Sequence, residues 1–192
     1  TTRISPYGDV LELAAGFFHQ PGRMLLVGLG ASGLAKSYTR AGWSVDVVEI
    51  DPAVTRTAIE HFGLEPRHAR VYHMDGREFL MRHNEQYDLI IVDAFGGSSI
   101  PFHLVTSEAF ALFGSRLAQR GVLAMNVIAV GWNDVLVRSL AATLGWEFAR
   151  VLVLPMAEPP DQLGNLILIA GNRELELVEE LPLPGDRFSA DY

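Results

Sequence analysis

The chain has 192 residues, 49% of them apolar, which fits one domain able to bury roughly 70% of its unfolded surface. It has no cysteine, which excludes disulfides, thiolate catalysis and cysteine-ligated metals. The formal net charge of −8 counts against a nucleic-acid partner and tolerates or attracts a cationic small molecule such as a polyamine.

Val10, Leu11, Leu13, Ala14, Phe17 and Phe18 recur at helical spacing and predict a helix over 6–19, closed by Gln20-Pro21-Gly22. Arg23-Met-Leu-Leu-Val-Gly28 reads as a first strand, 23–28. It runs into the turn Gly28-Leu-Gly30-Ala-Ser-Gly33 and a helix over about 32–41. A second strand, 44–49, ends on Glu49, about twenty residues after Gly28. Strand, glycine turn, helix and acid-tipped strand make the first half of a nucleotide-binding crevice. The glycines let backbone approach a ligand closely, and Glu49 is spaced to meet ribose hydroxyls. The plain alternative is a tight glycine turn in an α/β sheet that binds nothing.

Asp51-Pro52 caps and opens the next helix, which Gly63 ends. Residues 70–74 form a short third strand, followed at once by Asp75-Gly76 and a helix to Arg82. Tyr87 to Asp93 is an almost unbroken apolar run, as a parallel strand covered on both faces requires. A loop over 96–101 leads to a helix over 106–119, a fifth strand over 121–128 and a helix over 133–144. Residues 146–154 and 165–170 are two strands joined by a proline-rich loop too short for a crossover, hence an antiparallel hairpin at a sheet edge. The expected fold is α/β and Rossmann-like: a seven-stranded, mostly parallel sheet with an antiparallel C-terminal hairpin, as in SAM-dependent methyltransferases. One domain spans 1–192, with an N-terminal helical segment over 1–22 and an acidic tail over 174–192.

Ligands of open α/β sheets sit at the carboxyl ends of the strands. Those ends are Gly28 to Gly33, Glu49, Asp75, Asp93 and the segment 125–131. Asp75 with the Gly76 backbone suits an adenine amino group, or simply caps a helix. Asp93 lies where a reacting group would be, or caps the loop after it. Glu49→Ala is expected to weaken nucleoside binding and leave folding nearly unchanged.

Val48-Glu49-Ile50-Asp51-Pro52, Asp75-Gly76-Arg77-Glu78-Phe79-Leu80 and Tyr87-Asp88-Leu-Ile-Ile-Val-Asp93 resemble the spermidine synthase (polyamine aminopropyltransferase) family over roughly residues 23–128. The resemblance implies a donor of SAM or decarboxylated SAM, with Glu49 on ribose, Asp75 on adenine and Asp93 bordering the active site. It departs from the family at Ala31 and Gly96, where two further acids are expected; the second helps deprotonate the attacking amine. The residues before Arg23 are too few for the family's small N-terminal β domain, and the opening on Thr1 leaves an upstream segment open. His103 is a substitute base, histidine being the side chain best suited to proton transfer near neutral pH, or a histidine packed in its loop. Glu158, Asp161 and Gln162 could also face an amine, or form a solvated loop.

The expected activity is thus transfer from SAM or decarboxylated SAM to a small amine or other small acceptor. The alternatives are a SAM-dependent methyltransferase, a non-catalytic nucleoside-binding relative and, less favoured, an NAD-dependent oxidoreductase. The six histidines show no metal-binding spacing, and no metal is expected. No apolar run reaches the roughly 18 residues of a membrane span, so a cytoplasmic protein is expected; a homodimer is left open.

Overall fold

The computed structural model describes residues 11–95, 100–131, 133–155 and 162–177. Its elements are β1 (Arg23–Val27), α1 (Gly33–Arg40), β2 (Ser44–Val48), α2 (Pro52–Phe62), β3 (Arg70–Tyr72), α3 (Gly76–Arg82), β4 (Tyr87–Val92), α4 (Ser107–Arg116), β5 (Leu117–Val130), α5 (Val135–Glu147), β6 (Arg150–Pro155) and β7 (Leu163–Gly171). Short 3₁₀ turns lie at Leu13–Phe17 and Phe102–Leu104.

The seven strands form one sheet in the order β3-β2-β1-β4-β5-β7-β6. From β3 to β5 every pairing is parallel, and β7 runs antiparallel to both β5 and β6. The α/β architecture with its antiparallel C-terminal hairpin is therefore the one expected, with β7 inserted between β5 and the edge strand β6.

Alternation along the strands divides the core in two. Leu25, Val27, Ile90, Val92, Leu123 and Met125 face α3, α4 and α5, where Phe79, Phe110 and Leu144 pack. Met24, Leu26, Val47, Ile91, Ala124 and Ile167 face the other layer, which holds Leu34 and Tyr38 of α1 and Ala58 of α2. Cover on both faces is why β4 is apolar at nearly every position.

Several boundaries differ from the sequence reading: within the described part of the helix expected over 6–19 the chain makes a 3₁₀ turn at Leu13–Phe17, and the strand expected over 146–154 begins only at Arg150. The helix expected over 106–119 stops at Arg116, because Leu117 already pairs with Tyr87 and starts a β5 that extends to Val130. Helix α5 continues past Gly145 to Glu147, because Phe148 is buried and its N–H bonds to the Leu144 carbonyl. Glu147 then lies against Gly114 of α4, where a Cβ would stand 2.6 Å from its Oε1.

At the edge where β1 and β4 begin, Asp46 is 1% exposed. It accepts from Arg23 Nη2 at 2.8 Å, Arg70 Nε at 3.0 Å and Tyr87 Oη at 3.0 Å. Arg23 N–H donates to Asp88 Oδ2 at 2.8 Å nearby. One carboxylate thereby links β1, β2, β3 and β4.

Candidate functional site

The opposite edge carries the candidate site. In the last paired row Val27 lies between Val48 and Val92, and Val92 pairs with Met125. One residue further on, the same row reads Glu49, Gly28, Asp93, Asn126. Each continues the alternation of the face that carries Val47, Leu26, Ile91 and Ala124. The polar row is thus the end of an apolar ladder. It sits where strand order reverses around β1 and β4, the usual ligand position in an open α/β sheet.

Gly28 is required twice over. Its φ is +93°, and a Cβ would stand 2.4 Å from the Asp93 carbonyl oxygen. Gly30 also has a positive φ, +51°, but a Cβ there would meet nothing within 4 Å, so its backbone borders open space. Gly33 has neither constraint and opens α1. Ser32 takes the left-handed conformation at φ 63°, and its buried hydroxyl has no hydrogen-bond partner among the described residues.

Glu49 is 7% exposed. Its Oε2 accepts from Leu29 N–H at 2.9 Å and its Oε1 from Asp51 N–H at 2.9 Å. The carboxylate therefore fixes the glycine turn to the end of β2, and the second lone pair of each oxygen can still accept from a diol. These two bonds count against the expectation that Glu49 contributes little to folding.

Asp75 caps α3, its Oδ1 accepting from Arg77 N–H at 2.9 Å and Glu78 N–H at 3.1 Å. Its Oδ2 lies 2.7 Å from His103 Nε2, so two residues separate in the sequence meet. Burial opposes ionisation of Asp75, but the bonds from Glu78 N–H, His103 and Arg77 N–H outweigh it and lower its pKa. A proton on Nε2 would leave His103 Nδ1 as the basic nitrogen. Gly76 is buried, and a Cβ there would stand 2.6 Å from Val27 Cγ1, so its absence lets α3 start against β1.

Burial pushes the Asp93 carboxyl up, and the hydrogen bond from Asn126 lowers it only in part. Asn126 Nδ2 donates to Asp93 Oδ1 at 2.9 Å. Asn126 is 1% exposed, and its Oδ1 has no partner among the described residues. The sequence reading marked 125–131 only as a strand end. The missed signal was one amide inside the apolar run of β5, level with Asp93.

Gly96, Glu158 and Asp161 lie outside the described residues, whereas Gln162 is exposed just before β7. Among the described residues, no group of three or more His, Cys, Asp or Glu could hold a metal ion. No helix among them is long and apolar enough to cross a membrane.

No family model matches the chain. It is 37% identical to a polyamine aminopropyltransferase of Vibrio vulnificus over 132 residues, 65% of this chain and 44% of that protein. Its fold is similar to that of a probable spermidine synthase from Corynebacterium glutamicum (TM-score 0.80, 24% identity, covering 93% of this chain and 68% of that one). The chain thus resembles polyamine aminopropyltransferases in sequence and spermidine synthases in fold. Human methyltransferase-like protein 13, solved with SAH, is similar too (TM-score 0.79, 20% identity), with 93% of this chain and 87% of that one covered. The chain spans less than half the length of the curated relatives it matches.

Proposed function

We propose that this chain is a transferase domain that binds SAM or decarboxylated SAM and passes a group to a small amine or other small acceptor. The observation that carries this reading is the Glu49–Gly28–Asp93–Asn126 row at the reversal of strand order. A nucleoside laid along the glycine turn would place ribose hydroxyls at Glu49 and its sulfur substituents toward Asp93. The open space at Gly30 suits close approach of such a ligand. Asp75 would meet the adenine amino group through a remaining lone pair or after His103 swings away.

For the second half of the reaction, Asp93 is a largely buried acid whose described hydrogen-bond partner is the neutral amide of Asn126. It would hold an ammonium group or accept a proton from one. Glycine at position 96 removes a second acid from the residues available for that work. A methyl rather than an aminopropyl group is the second reading. It is favoured by 33% identity over 107 residues, 53% of this chain, to an N-terminal histidine N-methyltransferase of Emericella nidulans.

Thermal shifts with SAM, decarboxylated SAM, methylthioadenosine and NAD test both readings. A ligand at 100 times its Kd adds about 2.7 kcal/mol, or roughly 5–10 °C in a domain of this size. Shifts with the three sulfur nucleosides and none with NAD are expected. A shift with NAD alone would overturn the proposal. Product analysis by mass then distinguishes methyl from aminopropyl transfer.

A further inference from the structure

His103 already holds the oxygen that Asp75 would offer to a base. Asp75 Oδ1 is committed to the start of α3, where it accepts from Arg77 N–H and Glu78 N–H. Oδ2 is left for a ligand, and it lies 2.7 Å from His103 Nε2. An ionised carboxylate only accepts, so Nε2 is the donor of that bond. The amino group of a base is a donor as well, and the two compete for the same atom.

The backbone of the turn at His103 is held firmly, but its side chain is not. Leu104 is 2% exposed and packs in the core, and its N–H bonds to the Pro101 carbonyl at 2.9 Å. Arg77 Nη1 donates to the His103 carbonyl at 3.3 Å. The His103 side chain is 38% exposed. Among the described residues it meets only Asp75 and the ring of Phe102, itself 80% exposed. Rotation about its own side-chain bonds is enough to release Asp75 with the turn in place.

We propose that His103 is a gating residue of the nucleoside site: its imidazole holds Asp75 Oδ2 in the empty protein and is displaced by the amino group of the incoming base. The inference rests on the transferase reading above for the presence of a base. The strength of the gate depends on charge. An imidazolium–carboxylate bond is charged on both sides and harder to break than one from neutral imidazole, whereas the amino group of a base is uncharged. Affinity for an amino-bearing base should therefore rise with pH across the ordinary histidine range. The elements packed against the turn are α3 and α4. Their other charged groups do not titrate in that range: Arg77, Arg82 and Arg116 stay cationic, and Glu78 pairs with Arg82 at 2.7 Å. The Glu108 carboxyl is lowered by its own backbone N–H and by Thr106.

The test is calorimetric titration with adenosine and with purine riboside, which lacks the 6-amino group, from about pH 5.5 to 8.5. In the wild type adenosine affinity should rise about tenfold over that range, while purine riboside, which has no donor for Asp75, stays within about twofold. His103→Ala should bind adenosine about tenfold more tightly than wild type at the acid end and lose the slope, with purine riboside again within about twofold. A merely structural role would move both nucleosides together. His103→Gln carries a neutral donor of similar reach, so it should keep part of the competition and show no slope. It also decides the matter if the alanine variant does not fold: a flat adenosine profile supports the gate, and a wild-type slope overturns it. Unchanged or weaker adenosine binding in folded His103→Ala overturns the proposal, as does a wild-type slope that is absent or shared by purine riboside. Those results leave the nucleoside reading intact. Failure of both nucleosides to bind at any pH would instead overturn that reading as well.

Discussion

Truncating Glu49 to alanine removes the acceptors of two backbone N–H groups whose energetics differ. Asp51 is exposed, so its N–H regains water. Leu29 is 5% exposed, and its N–H bond to Glu49 is buried, so its donor is left unpaired. An unsatisfied buried donor costs about 1–3 kcal/mol, and losing the charged bond from Asp51 adds to that, about 2–4 kcal/mol in all. At about 2–4 °C per kcal/mol for a domain of this length, Tm should fall by roughly 5–15 °C. Glu49→Gln keeps one oxygen for one of the two N–H groups, while its amide nitrogen cannot accept from the other, so a smaller fall is expected. The glutamine variant therefore isolates the ligand role. Calorimetry on it, well below its Tm, should show methylthioadenosine binding weakened by about 1.5–3 kcal/mol. Wild-type Tm in Glu49→Ala would refute the loop-anchoring reasoning, and wild-type nucleoside affinity in Glu49→Gln would refute the ribose role.

Asp93 holds its proton more strongly when folded, because burial raises its pKa, so it lowers stability as pH rises from the unfolded carboxyl value through the higher folded one. Asp93→Asn should flatten that part of the Tm–pH curve and melt higher than wild type at neutral pH while losing transfer activity; parallel curves would contradict this. Asp46→Asn should cost roughly 2–4 kcal/mol in urea unfolding, less than a fully buried pair because Arg23 and Arg70 are 31% and 65% exposed. It should leave nucleoside affinity unchanged, and a change in affinity would show that the two edges of the sheet are coupled. Putrescine with decarboxylated SAM should turn over ~10²–10⁴-fold more slowly than with a positioned base. Gly96→Asp should raise that rate, and brisk turnover by the unaltered chain would mean that His103 or another group already supplies the base.

The strand ends were legible because the signals that make them are local. Gly28 followed by Gly30, an acid ending the second strand and Asp75-Gly76 each announce a chain reversal within a few residues. The antiparallel pair β6–β7 was legible for a negative reason, since the proline-rich stretch between 154 and 165 is too short for a helical crossover. Pairings at a distance were not. Nothing near Asp75 in the chain points to His103, which arrives from the turn after β4. Asn126 could be recognised only once β4 and β5 were in register, because its partner Asp93 is on another strand. Gly145 misled the helix boundary for a related reason. Glycine often ends a helix, but here burial of Phe148 holds the last turn.

The Asp46 cluster bears on how this protein could be redesigned. It ties the first residues of β1, β3 and β4 to the middle of β2, through hydrogen bonds that do not include the Gly28 row. A designer could exchange Asp93, Asn126 and the segment after β4 for those of another transferase and leave the anchoring carboxylate and its three partners alone. Grafts that stop at the final valine of β1, β2 and β4 should preserve the foundation of the sheet. Grafts that replace whole strands would have to rebuild the Asp46 junction, whose four residues come from four strands and must be moved together.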